Sequence, residues 1–366
     1  MKVNKNVFLD CLGQVLPAVD NKSLFDEYRR FNFCGQKVLA TDGSIWIETP
    51  LPDGVMLEAS VLAAPLFSLL KELPEGELDL RLENGKLSIK TDKLSSSFDA
   101  KVLGSSRPPS VGPVASVITG ELLNDLIDGL NFCRHGVSKD ENDGPLCGIK
   151  VGLNWVWSCD RYRILRWQLS QTFPSGFELC LPVRVVNLLV GNRSNLKHLT
   201  FLPRNNFGGI LVIDLNNGST IWATTLEGEY NDLNPFFPGN EVIGEEIELN
   251  MEFLGVLGRH LAILQDLPAE DKEVSFKVGN QSVVTSSKKF TVAGTGGPGV
   301  ASERELTESY ELSKVREGPD FEFLVNPVLL KDAFGLCCQT FKYYPEKSFV
   351  LFEGEKFKHL VKVKKI

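Results

Sequence analysis

The chain states one pattern three times, at a spacing of about 115 to 145 residues. Each statement is a short amphipathic helix followed by paired strands, then a second helix followed by paired strands. The first helix of each unit reads Val7-Phe8-Leu9-Asp10-Cys11-Leu12, then Leu122-Leu123-Asn124-Asp125-Leu126-Ile127, then Phe253-Leu254-Gly255-Val256-Leu257. The second reads Leu66-Phe67-Ser68-Leu69-Leu70-Lys71, then Val185-Val186-Asn187-Leu188-Leu189, then Val328-Leu329-Leu330-Lys331-Asp332-Ala333-Phe334. A doubled unit copied three times builds a shape. It predicts an α+β protein of three similar lobes, whose function lies in what that shape encloses or displays.

Composition agrees. At 366 residues and 43% hydrophobic, the chain can bury two or three separate cores. A formal charge of -8 argues against attraction to nucleic acid over the whole surface, so such contact needs a local basic face. Eight cysteines without a CxxC pair predict reduced thiols and a cytoplasmic setting. No secretory leader is legible. No apolar run approaches the ~18 residues of a membrane span, which predicts a soluble protein with no membrane partner.

Strands are expected after each helix, where apolar and polar residues alternate. Glu77 to Glu83 leads through Asn84-Gly85 into Lys86 to Lys90, a hairpin signal because Asn-Gly accepts the positive φ of a tight turn. Gly209 to Leu215 leads through Asn216-Asn217-Gly218 into Ser219 to Ala223, and Ser348 to Phe352 turns at Glu353-Gly354-Glu355 into Phe357 to Val363. Pro, Gly and Ser accumulate at 104–113 and 234–240. The expected lobes are therefore 1–113, 114–240 and 241–366.

Three segments resemble the bacterial-type DNA sliding clamp, the beta subunit of the replicative DNA polymerase III holoenzyme. Leu73-Pro74-Glu75-Gly76 looks like the family's turn into a strand. Thr225-Leu226-Glu227-Gly228-Glu229-Tyr230-Asn231-Asp232-Leu233 is similar to its K-L-x-x-G-x-F-P-D-Y segment. Trp157-Ser158-Cys159-Asp160-Arg161-Tyr162-Arg163-Ile164 stands where the family has A-T-D-G-H-R-L. The threefold doubled architecture extends the likeness over the whole length. Two departures stand out: Arg161-Tyr162 replaces the family's Gly-His, and Lys362-Val363-Lys364-Lys365-Ile366 replaces an apolar M-P-M-R-L ending. A divergent lineage, such as a phage carrying its own clamp, would account for both.

The resemblance implies two chains joined head to tail into a ring of six lobes, with helices lining the hole and sheets outside. Such a ring encircles duplex DNA without reading its sequence, held loosely by phosphate attraction while topology prevents escape. It implies a DNA polymerase processivity factor, with a replicative polymerase and a clamp loader as partners, acting in the cytoplasm at the replication fork. The implied peptide groove between the second and third lobes is lined by Leu146, Cys159, Arg161, Tyr162, Arg163 and Ile164. Asn231, Pro235 and Phe236 add the linker side, and Leu360, Val361 and Val363 the C-terminal side. Removing 360–366 is then expected to abolish peptide binding without unfolding the ring. The implied joint packs Ile263 and Leu264 against Lys71 and Phe98 of the partner's first lobe.

Cations in or beside the helices are the DNA-facing candidates: Lys71, Arg134, Arg184, Arg193, Lys197, Arg259, Lys331 and Lys342. Arg29 lies in a loop cluster with Lys22, which falls where the family has a DNA-contacting arginine. An ordinary solvated surface is the competing explanation for any one of them. Acidic neighbours on the same helices, Asp10, Asp125, Asp128 and Asp332, predict an inner face that is only mildly positive.

Other motifs carry less. Gly294-Thr295-Gly296-Gly297-Pro298-Gly299 matches GxGxxG, but Pro298 interrupts the helix that a dinucleotide site needs, so a loop is expected. Cys337-Cys338 has no second ligand pair at metal spacing, which favours small buried hydrophobes. The four histidines are scattered, and neither HExxH nor GxSxG occurs. The chain is therefore expected not to be an enzyme and to use no cofactor or metal. The rival reading is a non-enzymatic viral structural or assembly protein with repeated β-rich lobes; a nucleotide-binding enzyme using the glycine-rich loop is a third.

Overall fold

The computed structural model describes residues 1–104, 107–109, 116–173, 178–205, 208–239, 242–268, 271–291, 302–312, 314–336 and 340–366. Two sequence features, the glycine-rich 294–299 and Cys337-Cys338, lie outside the described residues. Six α-helices occur among those described: α1 (Lys5–Val15), α2 (Ala63–Glu72), α3 (Gly120–Cys133), α4 (Val183–Gly191), α5 (Phe253–Ile263) and α6 (Pro327–Leu336). Each contains one of the six repeated apolar segments, so the helical half of the repeat is real.

The chain divides into two compact units, Met1–Ile127 with Leu179–Gly228, and Asp128–Glu178 with Glu229–Ile366. The expected middle lobe, 114–240, contributes residues to both.

In the first unit, Asn4 starts α1 by accepting bonds from the amides of Asn6 at 2.9 Å and Val7 at 3.3 Å. Phe8, Leu12 and Val15 then fall on one face and are fully buried. Phe8 stacks on Phe33 with ring centroids 6.2 Å apart. Burying each such side chain contributes ~2 kcal/mol. The sheet beneath runs antiparallel from Lys2–Asn4 through Glu77–Glu83, Lys86–Lys90, Ser95–Lys101, Leu57–Leu62, Arg30–Gly35 and Lys37–Thr41 to Ile45–Pro50. It continues without a break through Thr220–Thr224, Gly208–Leu215 and Leu196–Asn205 to Ser116–Ile118. The seam pairs Ile47 with Ile221 and Trp46 with Trp222. Asn84 and Gly85 hold φ values of 52 and 69 at the expected tight turn, and Gly218 holds 83 at the second.

The second unit repeats the device. Gly148–Gly152, Trp155–Cys159 and Arg163–Gln168 form a meander that pairs with the last strand, Phe357–Lys365. That strand also pairs with Phe321–Val325 and Phe349–Glu353. Phe253 and Val256 of α5 and Leu330 and Phe334 of α6 pack on Phe276, Phe323 and Phe352 of the sheet. Inside this core, His260 of α5 lies between two hydroxyls, Ser287 and Thr285, each 2.8 Å from a ring nitrogen. Burial holds its pKa below the ordinary value.

Candidate functional site

The site is built at the start of Arg163–Gln168, where the chain turns from Trp155–Cys159. Asp160 holds this turn: its Oδ1 accepts from the amides of Tyr162 at 3.2 Å and Arg163 at 3.1 Å. Arg161 at the apex has a φ of 60, the left-handed region that a side chain disfavours. Its guanidinium pairs with Asp143, which also accepts from the Ser138 hydroxyl at 2.5 Å. These bonds, Ser138 first and then Arg161, hold the Asp143 carboxyl below its usual range. Arg163 points inward, donating to Asp160 at 2.9 Å and to Asp332 of α6 at 2.8 Å. Burial raises the Asp160 pKa against the opposing pull of Arg163. Burial likewise pushes the neighbouring Cys159 thiol up to about 11, which leaves it unreactive near neutral pH.

The turn leaves Tyr162 46% exposed, projecting between two clefts. The larger, about 400 Å³, is walled by Val137, Ser138, Lys139, Val328 and Leu329 along with the charged turn. The smaller, about 90 Å³, has Lys272, Leu324, Lys362 and Val363 on its walls. Tyr162, Asn326 and Leu329 line both. Asn326 also caps α6, accepting from the Val328 amide at 2.9 Å.

Of the residues predicted for the groove, Arg161, Tyr162, Arg163 and Val363 reach these clefts. Ile164, Leu360 and Val361 are interior to the sheet, where Ile164 pairs with Leu360 and Arg163 with Val361. Val361 and Val363 belong to the unit's core, which argues against removal of 360–366 sparing the fold while abolishing peptide binding. Leu146 is half-buried, and its carbonyl accepts from the Ser138 amide at 2.8 Å. Asn231 lines a separate cavity of about 520 Å³ beside Trp155, Trp157 and Glu229. Arg166 stacks on this aromatic cluster, 4.1 Å from the Trp155 ring and 4.3 Å from that of Phe237. Pro235 and Phe236 are exposed. Sequence reasoning missed Val137, Lys139, Lys272 and Leu329, which are brought in from distant segments. Asn326-Pro327 was readable as a helix start.

The DNA-facing candidates divide by partner. Lys71, Arg184, Arg259 and Lys331 lie on exposed positions of α2, α4, α5 and α6. Arg184 is paired with Asp42 and donates to the Pro17 carbonyl, both within the first unit. Arg259 grips Glu308 through two bonds of 2.6 and 3.1 Å. Lys342 pairs with Glu353 at 2.7 Å, and Lys71 lies over the Phe67 ring at 5.0 Å. Arg134 and Arg193 stand in the turns after α3 and α4, Lys197 on Leu196–Asn205, and Lys22 and Arg29 in the loop and turn after α1. Of the joint residues, Phe98 and Ile263 are half-exposed, whereas Leu264 is 1% exposed and belongs to the second unit's core.

Solved structures share this architecture from end to end. A DNA polymerase sliding clamp from Pseudomonas aeruginosa, crystallised with a ligand, superposes with a TM-score of 0.81 at 14% identity, covering 100% of this chain and 99% of that one. The Bacillus subtilis sliding clamp gives 0.80 at 16%, covering 100% and 98%. The Helicobacter pylori beta clamp bound to a DNA ligase peptide gives 0.78 at 15%, covering 100% of both chains. The fold is that of the bacterial sliding clamps. No protein-family model and no curated protein matches the chain. The clamp fold thus persists here on a sequence that shares about one residue in seven with these structures. Among the described residues, no helix of this clamp fold is long and apolar enough to cross a membrane.

Proposed function

We propose that the chain is a sliding clamp: a DNA polymerase processivity factor that closes as a head-to-tail homodimer around duplex DNA. In this reading the chain comprises three lobes, 1–113, 114–240 and 241–366, and holds a replicative polymerase and a clamp loader through peptides bound beside Tyr162. It catalyses no reaction and works in the cytoplasm at the replication fork. The observation that carries the reading is a likeness spanning 100% of the chain, with all six repeated apolar segments present as α-helices among the described residues. Exposed cations on α2, α4, α5 and α6 supply sequence-independent attraction to phosphates, while the carboxylates held by Arg184 and Arg259 keep it weak.

The test is retention on DNA. Protein loaded onto nicked circular plasmid with its loader is expected to co-elute with the plasmid in gel filtration and to be lost once a single cut linearises it. Equal retention on circular and linear DNA would show gripping without encirclement, and no retention on either would remove the clamp reading.

A further inference from the structure

The charge of the two clefts beside Tyr162 is unequal. In the larger one, Lys139, Arg161 and Arg163 face Asp140, Asp143 and Asp160. Ion pairs join Arg161 to Asp143 and Arg163 to Asp160, so the charged wall is internally balanced. What it offers a visitor is apolar: Val137, Val328, Leu329 and the Tyr162 ring. The smaller cleft has Lys272, Lys362 and Lys364 against a single carboxylate, Glu273, which Lys364 already engages. Lys272 and Lys362 have no ion pair among the described residues. Lys362 is exposed on the last strand, whose amide at that residue donates to the Tyr162 carbonyl at 2.8 Å. That bond fixes the lysine next to the aromatic partition. Three shared wall residues make the clefts adjoining parts of one groove.

Resting on the clamp reading above, we propose that this groove selects linear peptides of bipartite chemistry: an apolar anchor in the larger cleft and, within a few residues of it, acidic side chains against Lys272 and Lys362. An apolar peptide alone would leave two lysines facing an uncompensated surface, whereas carboxylates complement them and steer the encounter. The basic end of the chain thereby becomes a specificity element, with Tyr162 dividing apolar from ionic recognition.

The test uses the full chain and fluorescein-labelled octapeptides containing Leu-Phe, with three glutamates, three alanines or three lysines on either side of it. Fluorescence anisotropy at low salt is expected to rank glutamate above alanine by ~10-fold and lysine last, the gaps shrinking as salt rises. The double variant Lys272→Glu with Lys362→Glu, at accessible positions, is expected to reverse the ranking. Tyr162→Ala is expected to weaken all the peptides together. Equal affinities, no binding by any peptide, or a ranking that survives the double variant would each overturn the proposal. Loss of retention by the unaltered chain would overturn the clamp reading, while the peptide ranking would still judge this one.

Discussion

Arg161 shows how one residue can be strained and useful at once. A non-glycine side chain at a φ of 60 costs ~1 kcal/mol. Here the left-handed backbone aims the guanidinium at Asp143, and the resulting ion pair fixes the wall of the larger cleft. His359 makes a different bargain. It is fully buried on the last strand, with the rings of Phe352 and Phe132 at 6.2 and 6.4 Å. Burial first, then the charges of Arg163 and His135, lower its pKa from 6.5 to about 3. Between those values the unfolded chain binds a proton that the folded chain refuses, so stability falls as pH drops from 6.5 toward 3. The loss approaches ~1.4 kcal/mol per pH unit. A His359→Gln variant is therefore expected to lose less stability between pH 6.5 and 5 than the unaltered chain, by about 2 kcal/mol in urea unfolding. Identical acid sensitivity would assign the slope to other groups.

At the scale of elements, the helices were the legible part. Apolar residues at helical spacing marked all six, because each buries one face on a sheet and the other meets solvent. Asn-Gly and Asn-Asn-Gly marked two hairpins, because such residues accept the turn's positive φ at little cost. The long-range strand partners were not legible, since pairing such as Arg163 with Val361 joins segments nearly two hundred residues apart. That is why the last strand was read as a groove wall when most of its apolar residues are core. Phe357–Lys365 pairs on both sides, and Val361 is 0% exposed. Deleting 360–366 is thus expected to abolish cooperative thermal unfolding of the second unit, followed by circular dichroism, and peptide binding along with it. Tyr162→Ala, at an exposed position, is expected to keep the melt and lose only the peptide. A truncated chain that melts as sharply as the intact one would return the strand to a purely ligand-facing role.

For the whole molecule, net charge and topology have to work together. A chain of formal charge -8 that grips DNA through many unpaired cations would be hard to slide, yet one with none would never meet the duplex. Arg184 and Arg259 are paired with Asp42 and Glu308, an arrangement that on the proposed clamp reading suits loose contact, with closure of a ring doing the holding. In the proposed ring, closure would rest on the joint, and burial separates its two expected residues. Leu264 is part of the second unit's core, so charging it would damage the fold and reveal nothing about assembly. Ile263 is half-exposed at the end of α5 and is the informative position. Ile263→Glu is expected to keep a cooperative thermal melt, lowered only by the stabilisation that a partner subunit supplies through mass action. It is also expected to convert a dimer into a monomer in light scattering, and with it to abolish retention on circular DNA. A variant that stays dimeric and stays on the circle would move the joint away from α5, whereas a monomer that is still retained would remove encirclement as the source of residence.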